Sequence, residues 1–281
     1  MWINRCRTGR KRSGSRHGER QRAGTHLADD CNRTNRADHV LPPAAAARMN
    51  HRATWKRIAQ WVAVIACAVA LKLYYSSASA DELRWILAPT TAFVELVSGT
   101  AFEFESHAGY ISADHSFLIA PSCAGVNFLI TAFLMLSVGK LWRDRSLDIA
   151  WGFIPAAALI AYLVTLAANT VRIGVALRLG RLPEISWLNP SQLHRVEGIF
   201  VYFGFLLLLF VVSEKMSAGK TSGLLRQSFF PLLVYYATTL GIPLANGGYR
   251  QGSGFWDHSV FVLLIPVLLI LPFATLRHYR Q

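Results

Sequence analysis

Six apolar runs, at 58–75, 117–139, 149–175, 197–213, 229–245 and 257–276, constrain this chain more than any other feature. Each is long enough to cross a bilayer as a helix, which takes about 17–25 residues. Inside lipid every backbone N–H and C=O must be satisfied within the segment, so runs of this kind predict helices. A seventh run, 83–97, is short and contains Pro89 and Glu95, which suits an interfacial or half-inserted helix. The expected fold is an all-α polytopic membrane protein, a bundle of about six to seven transmembrane helices.

Composition agrees. Hydrophobic residues make up 53% of the 281 residues and charged residues 16%, against about a quarter charged in soluble domains. The net charge of +13 looks like a nucleic-acid signal until it is located. Residues 1–48 alone hold 11 Lys+Arg against 4 Asp+Glu, so much of the excess sits in a polar, Arg/Gly/Ser-rich leader without apolar periodicity. Such a segment reads as a disordered basic tail. A second reading starts the protein at Met49, whose following residues form a normal basic flank to a first membrane helix. On either reading the leader, 1–54, has no chemical role and no nucleic-acid partner is expected. The membrane core spans 55–215, and 216–281 adds a C-terminal helix pair.

Orientation follows from basic residues in the loops. Arg52, Lys56 and Arg57 precede the first span, and Lys140, Arg143 and Arg145 follow the second. Lys215, Lys220, Arg226, Arg277 and Arg280 fall on the same side of a six-span chain, which is then cytoplasmic. Arg178, Arg181 and Arg195 break the rule by falling outside, where they face a site or lipid phosphates. Also outside is 99–120, where Phe102, Phe104, Tyr110 and Ile111 lie among polar residues around a His107-Ala108-Gly109 turn. That pattern predicts a small extracytoplasmic β-hairpin, leading directly into Pro121-Ser122-Cys123.

Three unusual residues then fall at one depth. Cys123 lies at the outer start of the second span, Arg172 at the outer end of the third, and His194 just before the fourth. A thiol, a cation and an imidazole form a usable set for acyl transfer. The His moves a proton between thiol and leaving group, and the Arg favours the thiolate and holds an oxyanion. Each residue also has a plainer reading. Cysteine in a membrane helix is commonly a small apolar side chain, as Cys67 is here, and an interfacial His is ordinary. Arg172 is the strongest signal, because an Arg within a span costs about 2.5–3.5 kcal/mol on insertion scales; its plainer role is snorkelling to headgroups. Asn169, one turn earlier on the same face, is placed to orient the guanidinium, and Glu197 to orient His194 or solvate a helix start. Asp257-His258 reads as a helix cap. His107 and His115 lack metal-ligand spacing, and the four cysteines (6, 31, 67, 123) form no CxxC, so neither a metal site nor a disulfide framework is expected.

The ordered elements hairpin–PSCAG–NF, NTVRI and HRVEG, followed by an aromatic-rich apolar helix, resemble the exosortase/archaeosortase family. PSCAGVNFLITAFLM and the preceding ILAPTTAFVELVSG are most like its exosortase K branch. The resemblance covers about residues 55–215. It implies a polytopic cysteine transpeptidase or protease of the bacterial cytoplasmic membrane, with its active site on the outer face. Its substrates would be exported proteins bearing a C-terminal sorting signal: a short motif such as Pro-Glu-Pro, an apolar helix and a basic tail. Carried over by position, Cys123 is the nucleophile, Arg172 the catalytic arginine and His194 the histidine, with no metal or organic cofactor. The leader and the 229–276 helix pair have no role in that resemblance. The alternatives are a non-catalytic transporter or polysaccharide-export assembly subunit, in which Arg172 binds an anion and Cys123 is incidental, and a thiol redox enzyme, which the lack of a second outer cysteine disfavours.

Overall fold

The computed structural model describes residues 43–144, 150–179, 190–217, 224–245, 247, 250 and 253–278. The leader reading of residues 1–42, and the charges at Arg145, Arg181, Lys220 and Arg280, lie outside the described residues. The chain divides into two compact units, Met1–Arg52 and Ala53–Gln281, and the second carries all that follows.

Its elements are α1 (Pro43–Ser77, of which 53–77 belong to this unit), α2 (Arg84–Ser98), three short strands, α3 (Val126–Arg143), α4 (Phe153–Leu179), α5 (Pro190–Ser217), α6 (Leu224–Tyr236), α7 (Ile242–Ala245) and α8 (Ser253–His278). Four helical stretches, Thr54–Ser77, Pro121–Arg143, Phe153–Leu179 and Arg195–Met216, are long and apolar enough to cross a membrane. Two further apolar stretches, Phe229–Leu244 and Phe255–Leu271, are shorter. The outside of α1 has the pattern of a helix that faces lipid: Trp55, Ile58, Val62, Ile65, Val69 and Leu73 form an exposed apolar stripe at helical spacing, while polar Gln60 is buried. A water-soluble helix carries the opposite pattern.

The central helix is α3. It buries both large side chains, such as Phe128, Phe133 and Met135, and small ones, Ala132, Ser137 and Gly139. It packs against α4, α5 and α6. Named contacts give the directions. Arg57 of α1 donates to the Leu141 carbonyl (2.6 Å) at one end, and Lys72 donates to Asn127 Oδ1 (2.8 Å) at the other, so α1 runs antiparallel to α3. Phe128 stacks on Tyr202 (centroids 4.9 Å apart) and Arg143 pairs with Glu214, so α5 runs parallel to it. The bundle therefore has two unlike ends. One holds Arg57, Lys140, Arg143, Glu214 and Lys215; the other holds the N-termini of α3 and α5.

Residue 83–97 of the sequence reading becomes α2, fifteen residues and so about 22 Å long, short of a hydrocarbon core. Its buried face, Ile86, Leu87, Thr90, Thr91 and Val94, lies on α4. Tyr162 donates to the Trp85 carbonyl (2.8 Å) and the two rings stack.

The strands β1 (Phe102–Glu105), β2 (Gly109–Ser112) and β3 (Leu118–Ile119) form one antiparallel sheet in that order, with Phe102 opposite Ser112 and Tyr110 opposite Ile119. Glu95 fastens the sheet to α2 by accepting from the Phe102 amide (2.7 Å), and Asp81 accepts from Ser106 Oγ (3.1 Å) and the His107 amide (3.2 Å). In the β2–β3 turn, hydrogen bonds from Ser112 and Ser116 hold the Asp114 carboxyl down at about 2. The strand β3 takes Leu118 and Ile119 out of the run read as a span from 117, and the helix proper starts only at Val126.

A second difference is the run 229–245, read as one helix. It breaks at a π-helical turn, Ala237–Gly241. Thr238 and Thr239 bond back to the carbonyls of Val234 (3.0 Å) and Tyr235 (2.6 Å), competing with the backbone amides for them. Pro243 has no N–H to give to the preceding turn. Together these widen the helix at one place, as π turns do.

Candidate active site at the α3–α5 end of the bundle

The chain enters α3 through a sharp, defined turn. Pro121–Cys123 is a single 3₁₀ turn in which the Cys123 amide donates to the Ala120 carbonyl (2.8 Å). Gly125 then adopts φ +70°, and a Cβ built there would lie 2.5 Å from the Asn169 side-chain amide. The position thus needs glycine twice, for its left-handed backbone and for the approach of α4. Gly125→Ala should cost about 1–2 kcal/mol from the backbone alone, with more from the clash. A thermal-melt series in detergent, with the exposed Gly152→Ala as control, checks this.

Asn169 ties this turn to Arg172. Its Nδ2 donates to the Ala124 carbonyl (2.8 Å), and its Oδ1 accepts from Tyr202 (2.6 Å). Arg172 in turn donates from Nη1 to Tyr202 Oη (3.1 Å). One chain of polar contacts therefore runs from the backbone beside Cys123, across α4, to the guanidinium. The thiol of Cys123 lies within electrostatic reach of Arg172, Tyr202 and Tyr75. Tyr75, from α1, also reaches the Pro121 carbonyl (3.5 Å). Gly198 of α5 presents no side chain, and a Cβ there would sit 3.2 Å from Arg172 Nε, so the guanidinium lies close along the α5 backbone. Buried Glu197 interacts electrostatically with Arg172.

Of these groups Tyr75, Arg172, Gly198 and Tyr202 line a cavity of about 250 Å³ together with Ser122, Val126 and Arg195, while Cys123, next to Ser122 in the chain, is not among its lining residues. Gly125, Asn127 and Phe128 line it too. No side chain caps α3, and its first intrahelical bond runs from Leu129 to Gly125. The amides of Val126, Asn127 and Phe128 therefore have no intrahelical acceptor, and these residues border the same space. A cation, a tyrosine hydroxyl and a helix N-terminus facing one cavity beside a thiol can stabilise negative charge developing on an oxygen.

Of the residues read from the sequence, Cys123, Arg172 and Asn169 come together. His194 lies on the first turn of α5, next to cavity-lining Arg195; its side chain lies outside the described residues. Asn169 sits on the Arg172 face as expected, but its described bonds go to Tyr202 and Ala124. Asp257-His258 is not at a cap: α8 starts at Ser253, Asp257 is exposed, and half-buried His258 lines the cavity. Among the described residues no group of His, Cys, Asp and Glu is arranged to hold a metal. Sequence reasoning missed Tyr202, Tyr75 and Gly198. Nothing marked them, because a tyrosine or glycine in an apolar helix usually serves packing.

Tyr202→Phe tests the chain of contacts. It keeps the stack on Phe128 but removes the hydroxyl between Arg172 and Asn169, taking one partner from each at a cost of about 1–3 kcal/mol. The melting temperature in detergent should fall by several degrees, read against the wild-type protein. Comparisons with known protein families, with curated proteins and with solved structures return no match to this chain.

Proposed function

We propose that this chain is a membrane-embedded cysteine transpeptidase or protease of the exosortase type, which cleaves C-terminal sorting signals of exported proteins. The observation that carries the reading is the continuous path from the Cys123 turn through Asn169 and Tyr202 to Arg172. A cysteine that only filled space would not need a half-buried cation tied to its turn by a chain of polar contacts. Six spans, counting the interrupted 229–245 and 257–276 runs, put the thiol end outside the cytoplasmic membrane of a bacterium. The basic residues Arg57, Lys140, Arg143 and Lys215 then face the cytoplasm, and the small sheet leads directly into the Cys123 turn.

In this mechanism the substrate's apolar helix lies beside the bundle and its motif enters the cavity. The Cys123 thiolate attacks the scissile carbonyl, and the oxyanion is held by Arg172 and the uncapped amides at the start of α3. The C–N bond breaks as His194 gives a proton to the leaving amine, leaving a thioester on Cys123. Water, or an acceptor amine or hydroxyl, then attacks the thioester and returns the proton to the thiol, giving hydrolysis or transfer. Positioning and electrostatics in a partly dry site supply the rate.

The intermediate gives the direct test. Purified protein mixed with a substrate carrying a C-terminal signal and quenched in acid should yield a peptide adduct on Cys123 that hydroxylamine releases. Adduct at another residue, or none under conditions where the substrate is cut, would rule out the thioester route.

A further inference from the structure

A second, larger cavity of about 640 Å³ adjoins the first, with Asn127, Thr131, Arg195, Thr239 and His258 bordering both. It lies between α1, α3, the start of α5, the π turn and the start of α8. Its chemistry is divided. On one side are the basic side chains of Lys72 and Arg195 together with His258, and no carboxylate is present among the described lining residues. The inner wall is hydroxyl-rich: Thr131 donates to Thr238 (2.9 Å), and Thr239 stands beside them on the π turn. The rest is apolar, from Ile130, Ile242, Pro243 and Phe255.

The depth is also informative. Arg195 opens the candidate span Arg195–Met216, and Lys72 is near the end of Thr54–Ser77. Both basic groups therefore sit at the boundary where a bilayer places its phosphates. Lys72 is held over the opening by Asn127 Oδ1 at 2.8 Å. The first helix, which supplies Lys72, has most of its span facing outward, with 17% of it buried.

We infer that this cavity binds a phospholipid, its phosphate between Lys72 and Arg195 and its acyl chains along the apolar wall toward the bilayer. The paired basic groups supply charge-assisted hydrogen bonds to phosphate oxygens, and the headgroup lies next to the cavity that Arg172 lines. An acidic peptide side chain would satisfy one cation and leave the acyl-shaped wall unused, so the lipid is the better fit. This inference does not depend on the thiol chemistry, and its readout is binding alone.

The test uses full-length protein in a lipid-free detergent, titrated with short-chain phosphatidylglycerol below its micellar concentration and followed by native mass spectrometry. One lipid should bind per chain. Lys72→Ala with Arg195→Ala should weaken it at least tenfold, while Lys72→Arg keeps it. Retained elution volume and melting temperature show that the double variant is folded. The same chains as diacylglycerol, without phosphate, should bind at least tenfold more weakly than the phospholipid. Equal binding of diacylglycerol, or equal binding by the double variant, overturns the proposal. So does inorganic phosphate binding as tightly as the lipid, which would make the site one for free phosphate. Displacement of the lipid by an apolar helical peptide ending in Glu, at lower concentration than it needs against the double variant, would assign the cavity to peptide instead.

Discussion

Cys123→Ala and Cys123→Ser will each lower processing of an exported substrate by more than about a thousandfold, with protein level and membrane insertion unchanged. The turn that presents the thiol is built from backbone contacts: the Cys123 amide on Ala120, the Ala124 amide on Pro121, and Asn169 on the Ala124 carbonyl. None of these uses the sulfur, so either replacement leaves the turn in place. Serine nearly matches the thiol in size, but its hydroxyl is far less ionised and makes a poor nucleophile without a strong base. Serine therefore separates nucleophilicity from packing, and alanine controls for any hydroxyl activity. The measurement is the ratio of cut to uncut substrate on immunoblots of cells expressing each variant. Full processing by the alanine protein would remove the enzyme reading and favour a transporter or assembly subunit, in which the cysteine is incidental. A redox role would require a second thiol nearby. The other free cysteine among the described residues is Cys67, exposed in the middle of α1, on a different part of the bundle.

Four of the six runs read as spans recur as helices long and apolar enough to cross a membrane, because hydropathy reports the solvent of a helix directly. Their ends were not legible, because hydropathy reports nothing about backbone path. Phe117, Leu118 and Ile119 are as apolar as the helix that follows, yet two of them pair with β2, and Pro121 sets a 3₁₀ turn before α3 begins. In 229–245 the interruption comes from Thr238, Thr239 and Pro243, whose effect lies in competing hydrogen bonds and not in mean polarity.

The site divides in the same way. Cys123, Arg172 and His194 could be picked out because a thiol at a helix entrance, a cation inside a span and an imidazole at a third entrance are each costly or unusual there. Asn169 was visible as the neighbour one turn from Arg172. Its actual partners, Ala124 and Tyr202, are 45 and 33 residues away, and such pairings are set by helix packing, which no local pattern encodes. Tyr202 and Lys72 drew no reading from the sequence, since an aromatic in an apolar helix and a lysine near a helix end are ordinary there. Their roles depend on which neighbours the bundle gives them.

Arg172→Gln is the second variant with a large expected effect, and it should change two properties that can be separated. Glutamine keeps most of the length and one donor but no charge. If the guanidinium holds an oxyanion, turnover should fall by about 10²–10³, with substrate binding little changed because the charge matters most after attack has begun. Stability should fall as well. Glu197 is 8% exposed and lies within electrostatic reach of Arg172, and a buried carboxylate that loses the field of a cation is less well compensated. A purely structural arginine would predict that the two losses share one cause. The double variant Arg172→Gln/Glu197→Gln distinguishes them: with both charges gone the desolvation cost goes too, and the melting temperature should return most of the way to wild type. Activity should stay at the level of the single variant, because an oxyanion still has no cation to meet. Recovery of turnover together with stability would show that Arg172 serves the fold alone, and the catalytic arginine would have to be sought elsewhere.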